Sequence, residues 1–423
     1  MQDQILNSFD DFKLHPLILQ AVRESGYQTP TPVQARAIPA LLEGADLLVS
    51  SQTGSGKTAA FMLPALHKLA TPASRAGRGP RMLVLSPTRE LAAQTTAAAQ
   101  NYGRHLRHIN VVSVLGGMPY PLQNRMLAKP YEILVATPGR LIDQMQRGRV
   151  DFSRLEMLVL DEADRMLDMG FIEAVEQIAA ATPKTRQTLL FSATLDSRIA
   201  TLAKHLLNQP VRIETTATQA QHENIEQRLH YVNDMAHKNR LLDHLLRTVE
   251  LKQAIVFIAT KRDCDTLAGN LADQGHSVAA LHGDMNQGAR TRTLTGLRNG
   301  RLRVLVATDV AARGIDVPGI THVINYDLPK QAEDYVHRIG RTGRAGNQGT
   351  AISFASARDG IQLKRIERFT GHSIVAHEIA GLEPRPRSRA AISERYAPGG
   401  LHNRRPGAEA HSPYAADRAR RSR

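Results

Sequence analysis

Short runs of apolar, β-favouring residues alternate with helix-length stretches twice along the chain. The first series spans residues 47–50, 82–86, 133–137, 157–160 and 188–192, and the second spans 254–259, 278–281, 304–307, 322–325 and 350–354. Nearly continuous apolar runs at such intervals are typical of parallel strands in a sheet that helices cover on both faces. The pattern therefore predicts an α/β protein with two tandem domains, each a mainly parallel sheet flanked by helices.

Polar segments mark the boundaries of these domains. Residues 214–224, ETTATQAQHEN, contain few large apolar side chains, so we predict a hinge there. After residue 380 the periodicity stops and Pro, Gly, Arg, Ser and Ala dominate, which is typical of a disordered basic tail. The predicted organisation is a first domain over 1–213, the hinge over 214–224, a second domain over 225–380 and the tail over 381–423.

Composition and charge indicate what kind of molecule the protein binds and in which cellular compartment it is found. The chain of 423 residues has a net charge of +14, and residues 383–423 hold ten Arg, no Lys and four acidic residues, so +6 lies there. This balance favours a polyanionic partner. The single cysteine, Cys264, excludes an internal disulfide and is typical of a reducing compartment. No secretory leader and no apolar run of ~20 residues is visible, so we expect a cytoplasmic protein without a membrane partner.

A Gly-rich segment, SQTGSGKT, directly follows the first apolar run. Between a strand and a helix, such a loop turns backbone N–H groups toward phosphate oxygens. Lys57 then supplies a cation for the β- and γ-phosphates and Thr58 a hydroxyl for Mg²⁺. Ser51 stands where the strict pattern has glycine, and an ordinary glycine turn is the alternative interpretation. The candidate nucleotide-binding residues are Ser51, Gln52, Thr53, Gly54, Ser55, Gly56, Lys57 and Thr58.

Two adjacent carboxylates, Asp161 and Glu162, follow the apolar run at 157–160, and Asp164 comes two residues later. Adjacent carboxylates are usually a solvated surface pair, but the carboxyl edge of an open α/β sheet is where ligands bind. There Asp161 can hold the same Mg²⁺ as Thr58, while Glu162 can orient and deprotonate a water. Together the two segments predict a nucleoside-triphosphate hydrolase.

The second series has no phosphate loop, but residues 337–344, HRIGRTGR, place arginines between glycines. This arrangement suits recognition of a transferring phosphoryl group. An RNA-phosphate patch or a solvated loop explains these residues equally well when they are taken alone. If the arginines reach the nucleotide, it is fully contacted only when the two domains close, so ATP binding can drive closure and hydrolysis can release it.

In about ten short motifs, in their order and spacing, residues 9–380 resemble the DEAD-box ATP-dependent RNA helicases of superfamily 2, and look closest to the bacterial RhlE-type branch. The resemblance implies two RecA-like domains, ATP and Mg²⁺ as cofactors, and RNA as the partner. It also implies that residues 26–34, GYQTPTPVQ, correspond to the family's Q motif. Gln34 would then read the adenine edge next to Tyr27, and Phe9 would stack on the base; taken alone, Gln34 is a polar turn residue and Phe9 a core aromatic.

The resemblance also assigns residues of the second domain to the nucleotide. Gly314 and Asp316 match a segment that closes on it. Arg341 and Arg344 match the arginine fingers, and His337 matches the residue that links the fingers to Glu162. The catalytic residues that the resemblance implies are Lys57, Asp161, Glu162, His337, Arg341 and Arg344.

Further motifs resemble the family's contacts to the RNA sugar–phosphate backbone, which carry no sequence information. They are Pro87, Thr88, Arg89, Gly116, Gly117, Thr137, Pro138, Gly139 and Arg140 in the first domain, and Gly283, Asp284, Arg290 and Thr308 in the second. Common loops, with Arg89 and Arg140 paired to nearby carboxylates, are the structural alternative. Ser192 and Thr194 match the motif that couples hydrolysis to strand separation; without the family they are two hydroxyls at a strand end, able to bond Asp161 or Asp164.

The resemblance implies an RNA-stimulated ATPase that separates or remodels short RNA duplexes. The basic tail would add non-specific affinity for RNA and could dock protein partners. Two alternatives stay open. An ATP-gated RNA clamp or assembly scaffold would carry the same motifs. A double-stranded DNA translocase would share the two ATPase domains, although such enzymes carry other residues after the Asp–Glu pair.

Overall fold

A computed structural model describes residues 8–51, 54–73, 77–215, 224–248, 250–312, 315, 317, 319–343 and 347–385. The first lobe, residues 8–215, is built around one seven-stranded sheet. Its strands are β1 (Leu47–Ser50), β2 (Met82–Leu85), β3 (Val111–Val114), β4 (Ile133–Ala136), β5 (Met157–Leu160), β6 (Gln187–Ser192) and β7 (Val211–Glu214). Their order is β3-β4-β2-β5-β6-β1-β7, and neighbouring strands pair in parallel.

Helices connect these strands and cover the sheet. They are α1 (Pro16–Glu24), α2 (Pro32–Leu42), α3 (Lys57–Leu69), α4 (Arg89–Tyr102), α5 (Tyr120–Leu127), α6 (Pro138–Gln146), α7 (Ala163–Asp168), α8 (Ile172–Ala180) and α9 (Ser197–Leu206). A short 3₁₀ helix, Phe9–Phe12, precedes them.

The second lobe, residues 224–383, repeats the arrangement. Its strands are β8 (Ile225–Tyr231), β9 (Ala254–Phe257), β10 (Val278–Leu281), β11 (Val304–Ala307), β12 (His322–Asn325), β13 (Gly349–Ala355) and β14 (Val375–Ala376). Its helices are α10 (Met235–Leu246), α11 (Lys261–Asp273), α12 (Gln287–Arg298), α13 (Asp309–Ala312), α14 (Ala332–Ile339) and α15 (Gly360–Thr370). The order β10-β11-β9-β12-β13-β8-β14 is the first order with every number raised by seven. The predicted tandem parallel α/β fold is confirmed.

Burial on both faces explains why the strands are almost continuously apolar. Along β1, Leu47 and Val49 join one core cluster, with Phe61 of α3, while Leu48 joins the cluster on the opposite face. Successive strand residues point to opposite faces, so a sheet covered on both sides needs apolar residues at every position. The central strands β2, β4 and β5 are buried throughout.

The four strands absent from the predicted series depart from this rule. β3 is partly buried in alternation, β7 is mostly exposed, β8 reads IEQRLHY, and β14 has only two residues, both exposed. Three of them lie at a sheet edge and the fourth lies next to β14. A strand that is covered on only one face, or on neither, carries polar residues. These four strands therefore lack the continuous apolar run by which the other strands were predicted.

Side chains at the carboxyl ends of strands start several of the helices. Thr88 accepts a hydrogen bond from the N–H of Leu91 at 3.3 Å at the start of α4, and Asn286 accepts one from Ala289 at 2.9 Å at the start of α12. Such caps satisfy helix N–H groups that otherwise have no partner, and each contributes about 1 kcal/mol. They also hold the loops that precede the helices at one edge of each sheet.

The predicted hinge and tail fall largely outside the described residues. Glu214 is the last residue of β7, so the strand reaches into the predicted hinge, and residues 216–223 and 386–423 are not described. Cys264 is buried in the second-lobe core, where burial raises the pKa of its thiol to about 11. Within the ranges given above, no helix combines the length and the apolar character that a membrane span requires.

Candidate nucleotide site and the cleft between the lobes

The phosphate loop joins β1 to α3 at the carboxyl edge of the first sheet. Gly54 and Gly56 adopt φ values of +86° and +90°, a region that residues with a Cβ rarely occupy. The Ser51 hydroxyl bonds the Ser55 hydroxyl, so the serine that replaces the expected glycine takes part in the loop. Lys57 is buried and donates from Nζ to the Ser51 carbonyl oxygen at 2.9 Å.

The start of α3 fits an anion. Gly56 occupies the N-cap position, and no side chain caps this helix. Uncapped N–H groups at a helix start carry a partial positive charge, and together with the Lys57 ammonium they suit a phosphate group. Thr58 lies in the first turn and is partly exposed. Gln52 and Thr53, predicted here as nucleotide contacts, lie outside the described residues.

Gln34 connects the predicted adenine-reading segment to the phosphate loop. Its buried amide donates from Nε2 to the Gly56 carbonyl oxygen at 3.1 Å and accepts from the Thr31 N–H at 2.9 Å. A Cβ on Gly56 would collide with this amide. The side chain is therefore held against the loop, and its predicted role toward adenine stays a prediction.

Phe9 and Tyr27 lie together above α1 and α4. Phe9 is only 5 % exposed and meets the Tyr27 ring edge to face at 6.3 Å between centroids. The Tyr27 hydroxyl is 3.0 Å from that of Tyr102. Phe9 is therefore packed as a core aromatic, which was the alternative to a base-stacking role. Tyr27 is 41 % exposed and is the more accessible ring of the two. Stacking of Phe9 on a base stays a prediction.

The acidic cluster follows β5 and faces Lys57. Asp161, Glu162 and Asp164 are all buried. Burial raises the pKa of Asp161 to about 6; Lys57 opposes this shift, and Glu162 and Asp164 add to it. Burial raises the pKa of Asp164 as well, and the positive charges of Lys57 and Arg165 oppose this rise. Glu162 has φ 55° and ψ 54°, a left-handed conformation that strains a residue with a side chain.

The cluster fits a magnesium site completed by a bound nucleotide. A buried carboxylate whose pKa is raised by neighbouring acids is relieved by a divalent cation. Among the described residues, no group of three or more His, Cys, Asp or Glu side chains is arranged to hold a metal. Magnesium commonly takes one or two carboxylates and completes its shell with waters and phosphate oxygens. Asp161 and the Thr58 hydroxyl are ligands of the kinds that such a site uses.

The segment after β6 is tied to the acidic cluster through the backbone. Asp164 accepts a hydrogen bond from the Ala193 N–H at 3.1 Å, and the Ser192 hydroxyl accepts one from the Thr194 N–H at 3.3 Å. The alternative in which the hydroxyls of Ser192 and Thr194 bond Asp161 or Asp164 is not what the structure contains. An N–H donor suits Asp164 because an ionised carboxylate only accepts.

Arg165 is a site residue that the sequence did not reveal. Its Nε lies 3.3 Å from Glu162 Oε2, and its Nη1 lies 3.6 Å from Asp334 Oδ1 on α14 of the second lobe. One buried guanidinium thus contacts a carboxylate on each side of the cleft. The spacing of three residues on a short helix hints at the first contact, but nothing local in the sequence points to the second.

The arginine segment of the second lobe is engaged within its own lobe. Arg341 is buried, donates from Nη1 to the Ile315 carbonyl oxygen at 2.8 Å, and donates from Nε to that of His337 at 3.2 Å. Arg338 forms a bidentate pair with Asp309 at 2.6 and 2.7 Å and is structural. The remaining predicted contacts, Gly314, Asp316 and Arg344, lie outside the described residues.

The predicted RNA-contacting segments of the first lobe meet at one surface. Gly116 donates its N–H to the Thr137 hydroxyl at 3.3 Å, and a Cβ on Gly117, at φ +75°, would collide with Arg89. Arg140 donates to the Met118 carbonyl oxygen at 2.8 Å and lies 4.3 Å from the centre of the Tyr120 ring. Pro87, Thr88, Thr137 and Pro138 are buried, whereas Gly139 is exposed.

Two of the predicted RNA-contacting arginines bridge the cleft. Arg290 donates to Glu90 Oε1 from Nε at 2.9 Å and from Nη2 at 2.6 Å, and Arg89 donates to Gln287 Oε1 at 2.9 Å. Burial lowers the pKa of Arg89; the positive charges of Arg290 and Arg140 lower it further, while Glu90 opposes them. In the second lobe, Gly283, Asp284 and Thr308 follow β10 and β11, and Asp284 pairs with Lys261 at 2.6 Å on the surface.

A cavity of about 1010 Å³ lies elsewhere, at the amino ends of β1, β6 and β7. It is lined by Asp46, Arg186 and Gln187, among others. The phosphate loop and the acidic cluster are at the carboxyl ends of the same strands, where open α/β sheets bind ligands. This cavity therefore lies at the opposite edge of the sheet from the phosphate loop and the acidic cluster.

Comparisons with known proteins agree with the geometry. Residues 31–202 match the model of the DEAD/DEAH box helicase family, and residues 237–346 match that of the helicase conserved C-terminal domain. The chain is 43 % identical to the ATP-dependent RNA helicase SrmB of Haemophilus influenzae, over 90 % of this chain and 87 % of that protein. It is 46 % identical to the ATP-dependent RNA helicase DeaD of Escherichia coli, over 89 % of this chain but 59 % of that protein. The structure of Saccharomyces cerevisiae Dbp5 bound to RNA and ADP BeF3 matches with a TM-score of 0.79 and 33 % identity, covering 88 % of this chain and 95 % of that one.

Proposed function

Because this chain belongs to the DEAD-box family of ATP-dependent RNA helicases, we propose that it hydrolyses ATP to separate or remodel short RNA duplexes. Hydrolysis takes place at the loop between β1 and α3, and RNA lies across the carboxyl edges of both sheets. The domain boundaries predicted from the sequence belong to this proposal. The RhlE-type branch and the cytoplasmic location stay predictions.

The observation that carries the proposal is the burial of Lys57 near Asp161 and Asp164 at an uncapped helix start. The Lys57 ammonium and the first N–H groups of α3 would bind the phosphate chain. Asp161 and Thr58 would hold Mg²⁺, which neutralises charge on the phosphate oxygens when it is bound. The Lys57 ammonium donates to the Ser51 carbonyl oxygen at 2.9 Å, a contact that an arriving phosphate can displace.

Glu162 is the proposed general base. Its Oε2 atom is buried and accepts no hydrogen bond from the described residues, so no protein donor occupies its lone pairs. The strained backbone at Glu162 turns the side chain at the point where β5 ends. The residue would orient the attacking water and accept its proton.

The second lobe would complete the site. Arg341 and Arg344 would stabilise charge on the transferring phosphoryl group, and His337 would link them to Glu162. Arg341 donates to the carbonyl oxygens of Ile315 and His337, which hold its guanidinium within the second lobe. Because the two lobes share one nucleotide, turnover would require their approach.

RNA binding would use the surfaces around Arg89, Arg140 and Arg290. Contacts to phosphates and sugars through arginine, hydroxyl and N–H groups are independent of sequence, and 2′-hydroxyls would favour RNA over DNA. The predicted basic tail, residues 381–423, would add non-specific affinity and could dock protein partners. Because Arg89 and Arg290 each contact the opposite lobe, the RNA surface and the closed arrangement depend on the same side chains.

The decisive experiment measures ATP turnover with no nucleic acid, single-stranded RNA, duplex RNA and DNA. We expect RNA to stimulate turnover and DNA not to; equal stimulation by DNA would overturn the substrate assignment. Glu162→Gln should reduce turnover about 10²- to 10⁴-fold, as loss of a general base does, while ATP and RNA still bind. Wild-type turnover in that variant would remove Glu162 from the chemistry.

The clamp alternative is favoured by the cross-cleft contacts, which would prolong the closed state. A strand-displacement assay run beside a measurement of RNA dissociation distinguishes the two functions. Displacement at the rate of ATP turnover supports a helicase. Slow dissociation that only ATP hydrolysis ends, without displacement, supports a clamp.

A further inference from the structure

We propose that Arg165 is a positioning residue that makes the proposed base Glu162 competent only when the lobes are closed, with Asp334 as its partner on the second lobe. This inference rests on the proposed function, because it assigns a regulator to the same hydrolytic site. The side chains of Arg165, Glu162 and Asp334 are 4 %, 7 % and 16 % exposed.

The geometry places one cation between two carboxylates from different lobes. The Arg165 guanidinium is 3.3 Å from Glu162 Oε2 through Nε and 3.6 Å from Asp334 Oδ1 through Nη1. Charges buried at such distances are screened little by salt, so each carboxylate affects where the guanidinium rests. Arg165 therefore responds to the position of the second lobe and acts on Glu162 at the same time.

The contact with Glu162 is an ion pair without a hydrogen bond. Neither Glu162 Oε2 nor Arg165 Nη2 has a hydrogen-bond partner within the described part of the chain, although both atoms are buried. The guanidinium thus holds the carboxylate by charge while leaving a lone pair on Oε2. That lone pair is what a general base needs for its water.

Opening of the cleft changes this balance. When the second lobe withdraws, Asp334 leaves with α14, and Arg165 keeps only the carboxylates of its own lobe, Glu162 and Asp164. The pull of Asp334 on the guanidinium is then lost, so the guanidinium closes on Glu162 and donates to it the hydrogen bonds that are missing in the closed form. The lone pairs are occupied and water is excluded, so ATP bound to the open form is protected from hydrolysis.

The experiment compares the kcat and KM of RNA-stimulated ATP turnover in full-length variants. Asp334→Asn should lower kcat about 10- to 100-fold, the scale of a small misplacement of a catalytic group, and leave the KM for ATP within about twofold. Asp334→Glu, which keeps the charge, should recover most of the loss. Arg165→Met should also lower kcat, and the double variant Arg165→Met/Asp334→Asn should be no slower than Arg165→Met alone, because both act through one contact.

Arg198→Met is the matched control. Arg198, on α9, forms an exposed ion pair with Asp168, which lies on α7 together with Arg165. This variant should leave kcat and KM at wild-type values. Binding of a non-hydrolysable ATP analogue at equilibrium checks that each variant is folded. If Arg165→Met fails to fold, Asp334→Asn, on the other lobe, still tests the inference.

Wild-type kcat in Asp334→Asn would overturn the inference, and so would losses from the single variants that multiply in the double variant. An equal loss in Asp334→Glu and Asp334→Asn would also overturn it, because shape and not charge would then matter. These results differ from failure of the proposed function, in which the wild-type chain itself lacks RNA-stimulated turnover.

Discussion

The ion pair between Arg290 and Glu90 joins the lobes on the RNA side of the cleft, and we predict that Glu90→Gln weakens closure. Arg290 donates two hydrogen bonds to the same oxygen of Glu90, at 2.9 and 2.6 Å. The two side chains are 7 % and 9 % exposed, so the pair is buried in the closed form. In an open form both groups would be hydrated, and the contact therefore contributes to closure and not to the folding of either lobe.

The magnitude follows from the chemistry of the pair. Removing one partner of a buried ion pair costs about 3–5 kcal/mol, and a hydrogen bond to a charged group contributes about 1.5–3 kcal/mol. Glutamine keeps an acceptor oxygen but loses the charge, so we expect a loss near the lower range, about 2 kcal/mol. At about 1.4 kcal/mol per factor of ten, the closure equilibrium should fall about 30-fold.

Fluorescence energy transfer between dyes on the two lobes measures this equilibrium, with RNA titrated at a saturating ATP analogue. Dyes can be attached to cysteines introduced on each surface, because Cys264 is buried and its thiol pKa is raised to about 11. Glu90 is not among the predicted RNA contacts, but its partner Arg290 is, so RNA binding without the ATP analogue is measured beside closure to separate the two effects. Asp168→Asn, which removes an exposed ion pair within the first lobe, is the control.

The reasoning would be refuted if Glu90→Gln closed at the same RNA concentration as the wild-type chain. It would also be refuted if raising the salt from 0.1 to 0.5 M abolished the difference between the two, because a buried pair is screened much less than a surface pair.

Three further predictions concern adenine selection, the tail and acid stability. Gln34→Ala should reduce the preference for ATP over GTP in turnover, and an unchanged preference would refute its predicted role. Deleting 386–423 should raise the RNA concentration for half-maximal stimulation and reduce its salt dependence without changing maximal turnover; an unchanged requirement would make the tail irrelevant to affinity. Burial, with the charge of His377 next, lowers the pKa of His230 to about 4. The unfolded chain therefore binds an extra proton as pH falls from about 6.5 toward 4, and stability is lost in that window. In urea unfolding, lowering the pH from 7 to 5 should cost the wild-type chain about 2 kcal/mol more than His230→Gln, and equal losses would contradict the assignment.

Sequence reasoning recovered the elements with a strong local signal. The buried strands of both sheets carry apolar residues on two faces, and the segments after them supply the phosphate loop and the acidic cluster. β3, β7, β8 and β14 were missed because these strands, at a sheet edge or next to a two-residue edge strand, lack that signal. The roles of the side chains were harder to predict. The Gln34 amide donates a hydrogen bond to the Gly56 carbonyl oxygen of the phosphate loop. Arg338 lies between residues that were predicted to be catalytic, yet it forms a structural ion pair with Asp309.

What the sequence alone determined is therefore the repeated α/β order and the chemistry at the strand ends, because both depend on residues that are close along the chain. Only the tertiary structure decided which side chains meet across the cleft. Arg165 is far from Asp334 along the chain, and Glu90 is far from Arg290. The two residues of each pair belong to different lobes, yet they are in contact. Such contacts arise from the packing of two separately built sheets, and no periodicity or spacing along the chain encodes them.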